Sequence, residues 1–152
     1  TPDAMALIAG TSDDSLITGM AQFQETPDGL QVVVTVANVP TGRHGFHIHE
    51  HGSCADQGKA AGSHYNPDVA KHGFLPQDGF SGAHAGDFGN IEVDADGNGV
   101  LMLTLPGLTL RDGPHAVGGK AVVLHEHLDD FGQPTGNAGG RIGCGVIELT
   151  QP

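Results

Sequence analysis

The stretch from Thr26 to Gly52, TPDGLQVVVTVANVPTGRHGFHIHEHG, decides how this chain folds. Val32-Val33-Val34-Thr35-Val36 is a β-branched run, the kind of sequence that suits an ordered, pleated strand. Pro27-Asp28-Gly29 before it and Pro40-Thr41-Gly42 after it are turn signals. A second extended segment follows, from Arg43 to His49. Residues two apart on a strand share a face, so His47 and His49 project together while Phe46 and Ile48 turn the other way. His44 has the parity of Phe46 and Ile48 and is expected to pack. His51 falls where Gly52 ends the strand.

The same alternation recurs along the chain. Strand candidates are Met5–Ala9, Leu16–Gln24, Leu30–Ala37, Arg43–His49, Ile91–Asp94, Val100–Leu105, Lys120–Glu126 and Ile142–Leu149, with a further turn at Asp96-Gly97-Asn98-Gly99. Eight short strands joined by hairpin-type turns indicate an all-β, antiparallel sandwich or barrel. The 25 glycines and nine prolines follow no period, which suits tight turns, and no helix-period stretch of useful length stands out. With no tryptophan, one tyrosine and six phenylalanines, aliphatic side chains must supply most of the core. A length of 152 residues predicts one domain, 1–152. Two segments break the strand rhythm, residues 50–90 and 127–141, and long structureless connections in a compact domain are usually functional.

Eighteen acidic residues against six lysines and arginines give a net charge of −12. That balance argues against nucleic acid or an acidic membrane as partner, since both need a basic footprint. An anionic substrate would need a local positive site to overcome the overall field. No run approaches the roughly 18 apolar residues of a membrane span. The chain begins Thr1-Pro2-Asp3 without methionine or an apolar leader, and so reads as a mature or trimmed chain. Cys54 and Cys144 lie far apart without CxxC spacing. They read as one disulfide in an exported protein or as two buried thiols in a cytosolic one.

Read together, His47, His49, His64, His72, His84, Asp87 and His125 are candidate metal ligands. Neutral imidazole is the commonest ligand for copper and zinc, and a carboxylate suits zinc. His84-Ala85-Gly86-Asp87 lets two ligands reach one ion from a single turn. His125 has strand parity opposite to Val122 and Leu124, so it can face the same side as His47 and His49 if the strands are neighbours. These residues support a histidine-rich metal site and leave open the number of ions and the reaction. Asp94-Ala95-Asp96-Gly97-Asn98-Gly99 mimics the start of an EF-hand loop. Its twelfth position is Leu105, where a bidentate glutamate is needed, so a hairpin turn is the better reading. His51, His115 and His127 are expected to be solvated or structural.

The blocks GFHIHEHGSC (45–54), GSHYNP (62–67), HG (72–73), HAGDFGN (84–90), VLHE (123–126) and GNAGGRIGCGVI (136–147) resemble, in order and spacing, the copper,zinc superoxide dismutase family. The resemblance covers essentially the whole chain. It implies an eight-stranded antiparallel Greek-key β-barrel or flattened sandwich with two long functional loops, an architecture in which this enzyme is a standard example. It implies one copper, held by His47, His49, His64 and His125, and one zinc, held by His64, His72, His84 and Asp87, in each subunit, with His64 shared. Asp129 matches the carboxylate linking His47 to His72, Thr135 the channel rim, and Cys54 with Cys144 the intrasubunit disulfide. Arg141 matches the guanidinium that guides the anion. The implied reaction converts superoxide to O2 and H2O2, with His64 released on reduction and passing a proton to the product.

The resemblance further implies a homodimer, with the subunit contact sought near His51–Cys54 and the C-terminal strand. The disulfide and the missing start methionine favour an extracytoplasmic location, periplasmic or secreted, with a cytosolic one as the alternative. This chain departs from animal and plant relatives in its short second loop, where Pro134 stands about where a lysine would be. Guidance of the substrate then falls to Arg141, alone or with Lys59 or Lys71. A non-catalytic copper-binding module would have lost copper ligands or the arginine, and all are present here. A zinc-only protein would have no use for the extra imidazoles.

Overall fold

The computed structural model describes residues 1–151. Among the described residues, nine strands run in chain order: β1 (Ala4–Gly10), β2 (Thr18–Thr26), β3 (Gly29–Ala37), β4 (Gly42–His49), β5 (Asp87–Val93), β6 (Gly99–Leu105), β7 (Ala121–His125), β8 (Arg141–Val146) and β9 (Glu148–Leu149). They form one antiparallel sheet in the order β2-β3-β6-β5-β4-β7-β8-β1-β9, and a β1–β2 pairing closes the first eight into a barrel. The connections from β3 to β4 and from β6 to β7 join strands that are not neighbours, which gives the Greek-key path. Closure leaves the barrel without open edges, while β9 adds a short pairing to β1 at Ala4 and Met5.

The Val32–Val36 run behaves as its alternation predicts. Leu30, Val32, Val34 and Val36 point inward, while Gln31 and Thr35 are exposed. They meet Phe23 and Ala21 of β2, Ile8 of β1, Phe46 and Ile48 of β4, and Leu124 of β7 in one core cluster. Fully burying each large side chain is worth about 1.5–3 kcal/mol. Pro27 and Asp28 form the β2–β3 turn, which Gly29 closes at φ 133° with its carbonyl accepting from Thr26 Oγ1.

Three expectations need adjusting. The predicted strand at Ile91 begins four residues earlier, at Asp87, because Asp87 pairs with His47 beyond a bulge in β4. The predicted Ile142–Leu149 strand divides into β8 and β9 at Ile147. That residue is fully buried and exchanges backbone hydrogen bonds with Lys120 and Gly119 instead of continuing the ladder. A helix, α1 (Leu75–Gly82), occupies part of the 50–90 segment. It opens on a proline, carries Gly79 in a non-helical conformation and buries only Leu75, so its sequence has no apolar stripe to detect. Among the described residues no helix is long and apolar enough to cross a membrane.

Candidate metal centre

Strand parity sets the first half of the centre. Phe46 and Ile48 enter the barrel core, so His47 and His49 face outward from β4, beneath the two long connections. On β7, Val122 and Leu124 face the core, which puts Val123 and His125 on the outer side. β4 and β7 are direct neighbours, with His47 opposite Val123 and His49 opposite Ala121. His64 then reaches in from the first connection, where it forms an isolated bridge to His49.

Two buried groups of four donors result, His47–His49–His64–His125 and His64–His72–His84–Asp87, each with its ligand atoms within 4.8 Å of one another. His64 belongs to both. Nε2 of His49 and Nε2 of His125 lie 3.3 Å apart. In the second group, His64 Nδ1 lies 3.1 Å from His84 Nδ1 and 3.1 Å from Asp87 Oδ1, and His84 Nδ1 lies 3.3 Å from Asp87 Oδ1. A tetrahedral ion with bonds near 2.0–2.1 Å puts its ligands about 3.3 Å apart, so this spacing fits zinc. A third close group, His47–His72–Asp129, is the hydrogen-bonded link between the two. Nε2 of His47 donates to Asp129 Oδ2 at 2.7 Å, and Nε2 of His72 donates to Asp129 Oδ1 at 2.9 Å.

Those bonds determine which ring nitrogens are bare. His49 donates Nδ1–H to Gly62 O at 2.8 Å and His125 donates Nδ1–H to Gly139 O at 3.3 Å, leaving their Nε2 lone pairs in the first group. His47 and His72 spend Nε2–H on Asp129 and leave Nδ1. Among the described residues, His47 Nδ1 and His72 Nδ1 are the buried side-chain nitrogens or oxygens without a hydrogen-bond partner. His72 Nδ1 stands 2.9 Å from Asp87 Oδ2 but out of line for a hydrogen bond. Leaving such atoms unsatisfied is costly, and an ion on each resolves both.

At three of the histidines the electrostatics favour the ligating form. Burial pushes His49 down to about 2, His125 to about 3 and His64 to about 4, which keeps these imidazoles in the neutral, ligating form. Burial also opposes charge on His72, but the hydrogen bond to Asp129 and the nearby carboxylates of Asp129 and Asp87 outweigh it and raise this ring to about 9, so an ion taken up at Nδ1 displaces a proton. Burial works against charge on Asp87 too. The close rings of His64, His72 and His84 and the hydrogen bonds from the Gly73 and His84 backbone amides nevertheless hold it far below the carboxylate range.

The remaining candidates lie around these groups. Arg141, half-buried at the start of β8, donates Nη1 to Gly58 O at 2.7 Å and Nη2 to Gly62 O at 2.6 Å. The carbonyl of Gly62 therefore serves both Arg141 and His49. Cys54 and Cys144 form a disulfide with Cα atoms 5.8 Å apart, tying the 54–62 segment to β8. Thr135 is exposed in the second connection. His44 is buried, with Nδ1 2.9 Å from His125 O and Nε2 2.7 Å from Pro40 O, a packed histidine as its parity predicts. His51 and His127 are exposed beside Glu50 and Glu126, and His115 stacks on Phe80 with Nε2 2.7 Å from Asp68 Oδ2.

Sequence reasoning did not single out three residues that hold the centre in shape. The Asn90 side-chain amide brackets Asp129, donating to its carbonyl at 3.0 Å and accepting from its N–H at 2.8 Å. Gln133 does the same for His72, and Phe131 stacks near the His72 ring. Their partners are backbone groups or ring faces far away in sequence, which no local motif signals.

Comparison with known proteins agrees with this geometry. The family described as copper/zinc superoxide dismutase matches residues 17–147. An extracellular superoxide dismutase [Cu-Zn] from Caenorhabditis elegans is 38% identical over 146 residues; the match covers 91% of this chain and 64% of that protein. The chain thus spans a little under two thirds of the length of that curated relative. A crystal structure described as the clock protein EA4 superposes with a TM-score of 0.85 at 38% identity, over 98% of this chain and 96% of the other. The chain belongs to the copper/zinc superoxide dismutase family.

Proposed function

We propose that this chain disproportionates superoxide, using copper bound by His47, His49, His64 and His125 and zinc bound by His64, His72, His84 and Asp87, one of each per subunit. The carrying observation is the pair of buried four-donor groups joined through His64, with two ring nitrogens in them that have no other partner. When bound, copper would supply one-electron oxidation and reduction, and zinc, which is redox-silent, would hold the second group together. His64 Nδ1 is committed to the second group, which leaves Nε2 to face the first. That nitrogen would hold one of the two protons that H2O2 requires and pass it on, the other coming from solvent. Arg141, held by the Gly58 and Gly62 carbonyls, orients the incoming anion beside His49. Asp129 fixes the ring planes of His47 and His72. Thr135 lines the channel rim.

This reading is tested by metal analysis of the loaded protein together with a superoxide-consumption assay. Stoichiometric copper and zinc with superoxide removal is the expected result, and a full complement of both metals without activity defeats it.

An extracytoplasmic location accompanies this reading, supported by the extracellular relative and by the disulfide, which oxidising compartments favour. So does a homodimer: a groove lined by Met5, Leu7, Val146 and Leu149, with Glu148 and Thr150 among them, lies beside the disulfide at the C-terminal strand. Sedimentation of the metal-loaded protein should give twice the chain mass of 15.5 kDa.

A further inference from the structure

The segment from Asp129 to Gln133 grips His72 from three directions. Asp129 accepts the ring's Nε2–H at 2.9 Å. Phe131 lies nearly parallel to the ring, 6.4 Å between centroids with planes 18° apart. The Gln133 amide closes on the main chain: His72 N–H donates to Gln133 Oε1 at 3.0 Å, and Gln133 Nε2 donates to His72 O at 2.8 Å. A planar side-chain amide that satisfies both backbone groups of one residue imitates the pairing of a neighbouring strand. It does so where the chain has no strand, since residues 65–74 lie between the His64 bridge and α1.

A ring pinned only through Nε2 can still pivot about that bond as its Cα shifts. Fixing the backbone removes this freedom and aims the bare Nδ1 at the space it shares with Asp87. We propose that Gln133 is a positioning residue for the ion in the His64–His72–His84–Asp87 group, retarding its release by clamping the His72 main chain. The inference rests on the zinc reading above. Gln133 touches neither substrate nor any metal-ligating atom; it acts through His72.

The test uses the copper- and zinc-loaded protein and its cobalt-substituted form, whose visible bands report geometry at the second group. Gln133→Met keeps the length of the side chain and removes both hydrogen bonds. Gln133→Glu keeps the acceptor for His72 N–H and loses the donor. Transfer of zinc to a chromogenic chelator should be about tenfold faster for Gln133→Met, the lower end of what losing an outer hydrogen-bond partner of a metal ligand costs. Gln133→Glu should fall between it and the parent, and the cobalt bands of Gln133→Met should shift. Val34→Ala, a truncation in the barrel core, controls for general loosening at a matched unfolding temperature. Unchanged release from Gln133→Met overturns the inference while leaving the zinc reading intact. Equally fast release from Val34→Ala, or unshifted cobalt bands, reduces Gln133 to a structural role and overturns it as well. A parent protein that takes up neither zinc nor cobalt at this group removes the zinc reading itself, and the inference with it.

Discussion

The carbonyl oxygen of Gly62 accepts from two side chains at once, His49 Nδ1 at 2.8 Å and Arg141 Nη2 at 2.6 Å. One backbone atom therefore sets both the tautomer of a first-group histidine and the position of the guanidinium. Arg141 is one of only six lysines and arginines in a chain of net charge −12, so the local positive focus at the centre depends heavily on it. A cleft of one sign raises the local concentration of the opposite ion, and salt weakens the effect over about 10 Å at 0.1 M. Turnover of superoxide at low salt should therefore fall on Arg141→Ala and fall further on Arg141→Glu, with the gap narrowing as salt is added. Equal rates for the two variants at low salt would remove the steering argument.

At the scale of elements, β7 illustrates how far alternation carries. Its five residues are all buried, yet on two different surfaces: Val122 and Leu124 fill the barrel, while Val123 and His125 lie under the loops. Leu124→Ala removes a fully buried core side chain and should cost about 2–5 kcal/mol in urea unfolding. This division of faces is legible in the sequence because it follows from a period of two. His84 and Asp87 are legible for a similar reason, since both lie within one turn. The start of β5 at Asp87 is not, because it depends on a bulge in β4 at Gly45–His47, set by tertiary pairing rather than by local residue type. Helix α1 escapes because Leu75 alone is buried on it. The amide brackets of Asn90 and Gln133 escape because each meets a backbone segment that the fold, not the sequence, brings near. Residue type and spacing picked out the candidate ligands and the resemblance divided them between two ions; the tautomers follow from the hydrogen bonds of the folded chain.

At the scale of the whole molecule, the buried histidines make the metal-free protein sensitive to acid. Burial lowers His49, His125 and His64 from 6.5 to about 2, 3 and 4, so below pH 6.5 the unfolded chain binds protons that the folded one refuses. Their contribution to stability is full above 6.5 and is lost as pH falls toward those values. His72, raised to about 9, works in the opposite sense: its contribution is full below 6.5 and is lost as pH rises through 9. The unfolding temperature of the metal-free protein should therefore peak near neutrality and drop most steeply on the acid side, where three rings act together. A flat profile from about pH 4 to pH 6.5 would contradict this. Bound metal, which requires the same nitrogens unprotonated, should extend the plateau to lower pH. The barrel also divides the centre unequally. His47, His49 and His125 stand on the paired strands β4 and β7, whereas His64, His72 and His84 lie on the long connection between β4 and β5. Three of the first group's four donors thus belong to the barrel wall, while the second group takes only Asp87 from a strand.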